Sequence, residues 1–318
     1  MSHQPARTDP YQLVTASILA HLERGVVPWR CPWNRNTGRP RNFHTGRAYH
    51  GINVLLLGLL HFPSPWWMTF RQTQERGGSI RKGEHGAVVM KFGSYDKATR
   101  NGDGTEDKKT TLFLKSYRVF NASQIEGVEF PPAESVPQFE PLERIARAEQ
   151  ILTQMPQPPT ITEGRSTRAC YRPQSDTIEM PALTRFHSPE EFHLTLFHEL
   201  IHSTGHPSRL ARKGVTESDG FGGKSYTQEE LVAEMGAAFL GMEAEIVRDE
   251  HEQSAAYLQA WLATLRVQEH RRWIVQAGNQ AGRAADFILG RSAEKSSSAP
   301  ATETTAGQPA LPSVARFQ

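Results

Sequence analysis

A pentapeptide with the sequence HELIH, beginning at His198, constrains this chain more than any other segment, because it lies in a stretch that carries clear signals of a helix. Ser188 fits the N-cap and Pro189 the first helical position. Glu191, three residues after the cap, completes the pattern of a capping box. These signals predict a helix over 188–204, which fixes the direction of every side chain in the pentapeptide.

The two histidines of this segment are spaced to bind one metal ion. Residues four apart on a helix share a face, so the imidazoles of His198 and His202 can reach the same ion. Glu199 is offset by one position, where its carboxylate would face a water that the metal activates and would accept its proton. We therefore expect a metal site with Glu199 as general base. The alternative is a pair of surface histidines on an amphipathic helix.

The third metal ligand is expected from a second helix, predicted over 227–247 from another capping-box pattern. Glu230 and Glu234 are four residues apart, similar to the arrangement in gluzincins, where the first acid binds the metal and the second supports a ligand histidine. We assign these two roles to Glu230 and Glu234. His206, Glu229 and Glu234 remain alternative third ligands. The expected ion is Zn²⁺, and other divalent metals also suit this site.

Two further segments would shape the surroundings of this site. The small residues Ala233, Gly236, Ala237 and Ala238 would allow the second helix to pack closely against the HELIH helix. A strand predicted over 176–181 could pair with an extended peptide if it lies at a sheet edge. It could equally be a plain core strand, and the sequence favours neither interpretation.

Charge is distributed unevenly along the chain. Residues 1–130 carry 18 Lys and Arg against 10 Asp and Glu, a net charge of +8, whereas the remainder carries 18 against 24, a net charge of −6. Between residues 24 and 74 there are seven arginines and no acidic residue. A basic region joined to an acidic one indicates that only the first binds a polyanion.

Aromatic residues are interleaved with these arginines, as in PWRCPW at 28–33. Aromatic rings stack on unpaired bases and arginines pair with phosphates, so the combination indicates binding of single-stranded DNA. The sequence has no helix-turn-helix, zinc-finger or RNP motif, which disfavours sequence-specific reading of a duplex. For any single tryptophan the alternative is burial in the core. The candidate DNA-binding residues are Trp29, Arg30, Trp33, Arg35, Arg39, Arg41, Arg47, Tyr49, Arg71, Arg81 and Lys82.

The pattern of elements predicts an α+β chain with two domains. Strands at 87–92 and 111–120 would pair through a polar hairpin loop in an N-terminal α+β domain. The second domain would be mainly helical with a small sheet. The expected boundaries are 8–130 for the DNA-binding domain, 131–141 for a proline-rich linker, 142–290 for the metal-binding domain and 291–318 for a disordered tail.

The number of cysteines and the distribution of apolar residues indicate the cellular compartment of the protein. Only two cysteines occur, Cys31 and Cys170, which excludes a disulfide-built secreted fold and a Cys-rich zinc site. The N-terminus shows no signal-peptide pattern, and the longest apolar stretch, 51–60, is too short to span a bilayer. We therefore expect a cytoplasmic protein with no membrane partner.

Short motifs are distributed over about 10–289. They are GxxPW at 25–29, PWN at 32–34, YxGIN at 49–53, RKGExG at 81–86, VFNxxQ at 119–124, HELxHSTGHPSRL at 198–210 and YxxEELVAE at 226–234. Together they resemble the ArdC-type antirestriction proteins of plasmids and mobile elements, and the N-terminal part is also similar to that of TraC-type primases. The resemblance implies an N-terminal domain that binds single-stranded DNA and a C-terminal zincin-like metallopeptidase domain. It also implies protection of incoming conjugative DNA from host restriction.

Two functions from different classes follow. The first is a metal-dependent peptidase, tethered to single-stranded DNA, that acts on an unknown protein substrate. The second is a non-catalytic single-stranded DNA-binding protein whose metal site is structural. The HExxH pattern favours the first, because a structural zinc site normally has four protein ligands and no need for Glu199. A zinc nucleoside deaminase is excluded by the absence of a PCxxC element.

Overall fold

The computed structural model has the α+β fold that the sequence predicts, with helices and three small sheets. The residues it describes are 9–29, 38–100, 106–132, 141–164, 166–217, 223–246, 255–267, 270 and 272–291. The predicted tail, 291–318, lies outside the described residues except for its first residue, and so does most of the predicted linker. None of the described helices is both long enough and apolar enough to cross a membrane.

The N-terminal segment combines three helices with a four-stranded sheet. Its elements are α1 (Pro10–Glu23), β1 (Arg41–Asn42), α2 (Ile52–Gly58), β2 (Trp66–Thr69), α3 (Phe70–Glu75), β3 (Ser79–Ile80), β4 (Ala87–Arg100), β5 (Glu106–Asn121) and β6 (Ile125–Glu126). The sheet has the order β1-β2-β5-β4, and β3 pairs with β6. The two long strands exceed the predicted 87–92 and 111–120, because they continue as an antiparallel ribbon toward the loop between them.

The C-terminal segment is mainly helical and has a three-stranded sheet. Its elements are α4 (Pro141–Gln154), β7 (Thr160–Glu163), β8 (Cys170–Arg172), β9 (Thr177–Met180), α5 (Pro189–Ser203), α6 (Lys213–Thr216), α7 (Lys224–Ala244), α8 (Ala255–Leu265) and α9 (Trp273–Ile288). The sheet order is β7-β9-β8, so the strand predicted at 176–181 is central and not at an edge. The side chains of Ile178 and Met180 are fully buried, which identifies it as a core strand.

One apolar core runs through both segments, from α1 and α2 to α7 and α9. The backbones of α2 and α9 approach each other very closely. A Cβ atom added at Gly278 would lie 3.1 Å from Cα of Ile52, and one added at Gly282 would lie 3.1 Å from Cα of Gly51. Both separations are tighter than most contacts of a real Cβ atom, so glycine suits both positions. The two predicted domains therefore pack against each other without an intervening layer.

Ion pairs border this junction. Arg39 lies 3.6 Å from Glu243, and Arg291 donates to the same carboxylate at 2.6 Å. His50 lies 3.6 Å from Asp286 on α9. These contacts join a positively charged segment to acidic side chains of its neighbour, as the opposite net charges favour.

Candidate metal centre and nucleic-acid interface

The helix that carries HELIH is α5, and its start follows the predicted signals. The hydroxyl of Ser188 accepts a hydrogen bond from the N–H of Glu191 at 3.1 Å, and Pro189 occupies the first helical position. The carboxylate of Glu191 accepts from the N–H of His187 at 2.8 Å, so the reciprocal half of the capping box reaches one residue further back than expected. The helix prediction is confirmed, and the pentapeptide sits in its last two turns.

Helix α7 supplies the acidic side of the site, but it begins three residues before the predicted start. Gly223 is the N-cap, and the hydroxyl of Thr227 donates to the carbonyl of Gly223 at 2.9 Å, so Thr227 lies inside the helix and does not cap it. The predicted close packing on α5 is present. A Cβ atom added at Gly236 would lie 2.6 Å from Cδ1 of Ile201, between the two histidines of α5.

Three predicted ligands converge where α5 faces α7. Nε2 of His198 and Nε2 of His202 are 3.1 Å apart. Oxygens of Glu230 lie 3.4 Å from the first of these nitrogens and 3.5 Å from the second. A tetrahedral ion with bonds of about 2.0–2.2 Å places its ligand atoms about 3.3–3.6 Å apart. Both distances to Glu230 fall in this range and the distance between the two histidines is slightly shorter, so the donor set His198, His202 and Glu230 fits one divalent metal ion.

The electrostatics of the site favour positive charge. Burial raises the pKa of Glu230, but His198 and His202 outweigh this effect and hold it well below its ordinary value. Burial lowers the pKa of His202, yet its contacts with Glu229 and Glu230 more than offset burial and raise it to about 10. Two carboxylates thus face the imidazoles, and a bound cation would complete this arrangement.

Glu229 contacts the candidate ligand His202, an interaction that the sequence did not reveal. Its Oε1 lies 3.4 Å from Nδ1 of His202, on the opposite side of the ring from the metal-facing nitrogen. The buried guanidinium of Arg212 donates through Nε to the same carboxylate at 3.1 Å and through Nη2 to the carbonyl of Ile201 at 2.7 Å. Burial raises the pKa of Glu229, but His202 and Arg212 lower it by more than burial raises it. The pKa therefore lies below its ordinary value and the carboxylate is ionised. This chain of contacts fixes the orientation of His202.

The other predicted site residues lie around this cluster. Glu199 is 8% exposed on α5, and its charge helps to raise the pKa of Tyr226, which burial and Glu230 already raise, to about 12. Nδ1 of His206 lies 2.8 Å from the hydroxyl of Ser208, and His206 is outside the metal-binding cluster of the described residues. Glu234 is half-buried one turn beyond Glu230, and its supporting role remains a prediction.

The aromatic residues predicted to stack on bases prove to be part of the core. Trp29 is 1% exposed and packs edge-to-face on Trp261, with ring centroids 5.5 Å apart. The ring of Tyr49 is also buried. A buried ring offers no face to a base, so we correct the stacking assignment of both residues. Trp33, Arg30 and Arg35 lie outside the described residues.

The predicted basic residues that the structure describes differ in their surroundings. Arg39 donates to the carbonyl of Tyr49 at 2.9 Å and lies near Glu243, so it joins the two segments and does not project as a free cation. Arg71 forms an ion pair with Glu75, and Arg81 lies 3.4 Å from Glu126. All of the remaining described candidates are exposed: Arg41, Arg47 and Lys82.

One face of the β4–β5 ribbon adds basic and aromatic residues that the sequence analysis did not select. Tyr117 lies opposite Val89, Lys115 opposite Lys91, and Phe113 opposite Gly93. Because side chains alternate across a strand, these residues share one face. The two-residue spacing of Phe113, Lys115 and Tyr117 within a predicted strand was the signal that could have found them.

Comparisons with known proteins agree with both halves of this description. Residues 8–120 match the family model of the N-terminal domain of anti-restriction factor ArdC, and residues 146–280 match that of a zincin-like metallopeptidase. The uncharacterized protein y4eC of Sinorhizobium fredii is 31% identical over 88% of this chain and 92% of its own length. A DNA primase TraC of Escherichia coli is 34% identical over 88% of this chain, which spans about a quarter, 27%, of the primase.

Solved structures extend the comparison to the fold. The metal-free crystal structure of the antirestriction ArdC protein from the R388 plasmid is 37% identical, with a TM-score of 0.68, over 89% of this chain and 97% of that one. Its Mn(II)-bound structure has a TM-score of 0.68 at 35% identity, over 90% of this chain and 99% of that one. Both family models match in the same order along the sequence, and nearly all of the R388 protein is covered, so this chain belongs to the ArdC family of antirestriction proteins.

Proposed function

We propose that this chain joins a metal-dependent peptidase site to a surface that binds single-stranded DNA. The observation that carries the proposal is the convergence of His198, His202 and Glu230 at distances that fit one metal ion, with the acid of the same motif, Glu199, on the same helix. A structural zinc site would normally take four protein ligands, whereas a catalytic one takes three.

The chemistry divides between the ion and the side chains. A bound divalent ion supplies a Lewis acid that lowers the pKa of water and polarises a carbonyl group. Glu199 accepts the proton of the attacking water and passes it to the leaving amine. Glu229 keeps His202 in the orientation that presents Nε2 to the ion. We propose Zn²⁺ because two imidazoles and a carboxylate at an HExxH motif suit it, while the Mn(II)-bound relative supports other divalent ions as well.

The proposal of DNA binding rests on the N-terminal segment. Its net charge of +8 and the Lys91, Lys115 and Tyr117 face provide cations and an aromatic ring for a strand. The match to the ArdC N-terminal domain and to proteins named DNA primase supports the same partner. Binding of this kind weakens steeply with salt, because phosphate contacts release counterions.

Replacing Glu199 by glutamine tests the peptidase proposal. The variant should retain its metal, measured by mass spectrometry of the purified protein, and its affinity for a labelled single strand. Hydrolysis of an unstructured protein such as casein should fall by about 10²–10⁴-fold, the usual contribution of a positioned base. Glu190→Gln, in the first turn of the same helix, is the matched control and should keep full activity. Equal hydrolysis by Glu199→Gln and the wild type would refute the proposal.

The same variant decides between the two functions in cells. In conjugation into a restricting host, a peptidase mechanism requires that Glu199→Gln lose protection of the incoming DNA. If it protects as well as the wild type does, protection does not need catalysis, and this result favours the non-catalytic DNA-binding function. Burial of Glu199 beside the proposed ligands favours the first result.

A further inference from the structure

A cavity opens in the N-terminal segment, away from the metal centre. About 520 Å³ of space here is not filled by protein atoms, and part of this space is open solvent. Its walls come from the loop after β1, the start of α3, and strands β4 and β5. Apolar side chains such as Val89 and Val119 line it together with Tyr117.

Two polar side chains that line this cavity have donor capacity left over. Gln72 is 3% exposed, and its Oε1 accepts from Asn42 and from the N–H of Thr69, both at 3.0 Å. Within the described part of the chain its Nε2 has no hydrogen-bond partner. Tyr49 is 5% exposed; its hydroxyl accepts from Asn42 at 3.5 Å, and the O–H likewise meets no acceptor among the described residues. Both side chains line the cavity, so their free donors are placed to meet an acceptor on a ligand.

Cations line or adjoin the same cavity. Lys91 lines it and sits directly opposite Lys115 on the neighbouring strand. Burial and the charge of Lys115 both lower the pKa of Lys91. Like charges directly opposite each other destabilise a strand pair, and an anion between them would remove this cost. Arg47 also lines the cavity.

We propose that this cavity takes one unpaired nucleobase of a single strand, with a neighbouring phosphate held by Lys91 and Lys115. The walls and the ring of Tyr117 suit a flat heteroaromatic group, and the donors of Gln72 and Tyr49 suit a carbonyl oxygen on its edge. Thymine, cytosine and guanine carry such an oxygen and adenine does not. This inference rests on the proposed DNA binding and adds to it a defined base site with a preference for thymine over adenine.

The test uses the full chain and fluorescence anisotropy with labelled strands of abasic sugar-phosphate units. One strand has no base, one has a single central thymine, and one has a single central adenine. Stacking of one base contributes about 1–3 kcal/mol, so the thymine should raise affinity by about 5-fold or more over the strand without a base. The adenine strand should gain less.

Variants locate the effect. Tyr117→Ala should remove most of the gain from thymine, and Tyr49→Phe, which keeps the ring and removes only the hydroxyl, should reduce the preference for thymine over adenine. Phe92→Ala is the matched control, because Phe92 is 39% exposed on the opposite face of β4, and it should keep the full gain. Thermal melting of each variant verifies folding, and Tyr49→Phe serves if Tyr117→Ala unfolds.

The outcomes separate the two proposals. If the wild type binds the strands with and without thymine equally, the base site is refuted, while backbone binding of single strands stands. If it binds neither strand nor an ordinary thymine oligonucleotide, the proposed DNA binding itself fails. A gain from thymine that survives in both Tyr117→Ala and Tyr49→Phe would place the base elsewhere and overturn the inference.

Discussion

Replacing Glu229 by glutamine should weaken both the fold and metal binding, because this carboxylate has two buried partners. It faces Nδ1 of His202 at 3.4 Å on one side and the guanidinium of Arg212 on the other. Glutamine has nearly the same shape, so packing is retained and only the charge is lost. The guanidinium would keep its contacts with the carbonyl of Ile201 and the hydroxyl of Thr204 but lose its counter-charge.

The magnitude follows from the burial of the pair. Removing one member of a buried ion pair costs about 3–5 kcal/mol of the free energy of unfolding. Glutamine still offers one oxygen to Arg212, so we expect a loss at the lower end, about 3 kcal/mol. Because we propose His202 as a metal ligand, we expect loss of its partner to lower metal affinity by about 10–100-fold. The two losses have different origins, because the first comes from Arg212 and the second from His202.

Urea unfolding of the metal-free protein and a chelator competition for Zn²⁺ measure the two effects. The double variant Arg212→Met/Glu229→Gln should regain stability, since the unpaired charge is gone, but not metal affinity. Glu234→Gln on the same helix serves as the comparison, because the sequence predicted Glu234, and not Glu229, as the support of a ligand histidine. A change in Glu229→Gln below about 0.5 kcal/mol, the size of an ordinary surface substitution, together with unchanged metal affinity, would refute the reasoning.

Three further predictions concern the ligand set and the helix contacts. Glu230→Ala should lose stoichiometric metal and His206→Ala should keep it in elemental analysis; the reverse would replace our third ligand. Gly236→Ala should lower the free energy of unfolding in urea by about 1–3 kcal/mol and weaken metal binding, because the new methyl group presses on Ile201. Adding Ile201→Ala to this variant should restore part of the stability and part of the metal affinity. Unchanged stability and metal affinity in Gly236→Ala alone would contradict this. Gly278→Ala should lower Tm by about 2–10 °C, since α2 blocks the new methyl group, and an unchanged Tm in scanning fluorimetry would contradict this.

The helix of the metal motif could be predicted because its signals are local. The N-cap at Ser188, the proline after it and the four-residue spacing of the histidines all act within α5. The small residues of α7 also predicted close packing of α7 against α5, and Gly236 makes this contact. Glu230 was selected by analogy with a spacing pattern, and the structure places it beside both histidines.

The support of His202 could not be read from the sequence. Arg212 lies in a segment between helices, 17 residues from Glu229, and no periodicity links the two. The sequence favoured Glu234 because an i, i+4 pair shares a helix face. In the structure Glu229, the residue before Glu230, contacts Nδ1 of His202, because α5 and α7 pack closely at this point.

The fate of the tryptophans also depended on distant residues. Trp29 has arginines as sequence neighbours, which suggested a stacking surface, but its partner is Trp261, far along the chain. An aromatic ring suits either a core or a base, and only the tertiary fold decides between them. The alternation in β5 was visible, whereas the pairing of Lys115 with Lys91 required the strand register.

The glycine-mediated contact between α2 and α9 has a consequence for how such proteins are inherited. A recombination event that kept only one segment would expose the apolar surface that the other segment covers, so we expect each half to be less stable by itself. The unit that can move intact between genes is the span from α1 to α9. The likeness to the much longer Escherichia coli primase covers 88% of this chain, which includes parts of both segments. Fusion partners are therefore expected to join at the ends of this span and not at the proline-rich stretch between its two segments.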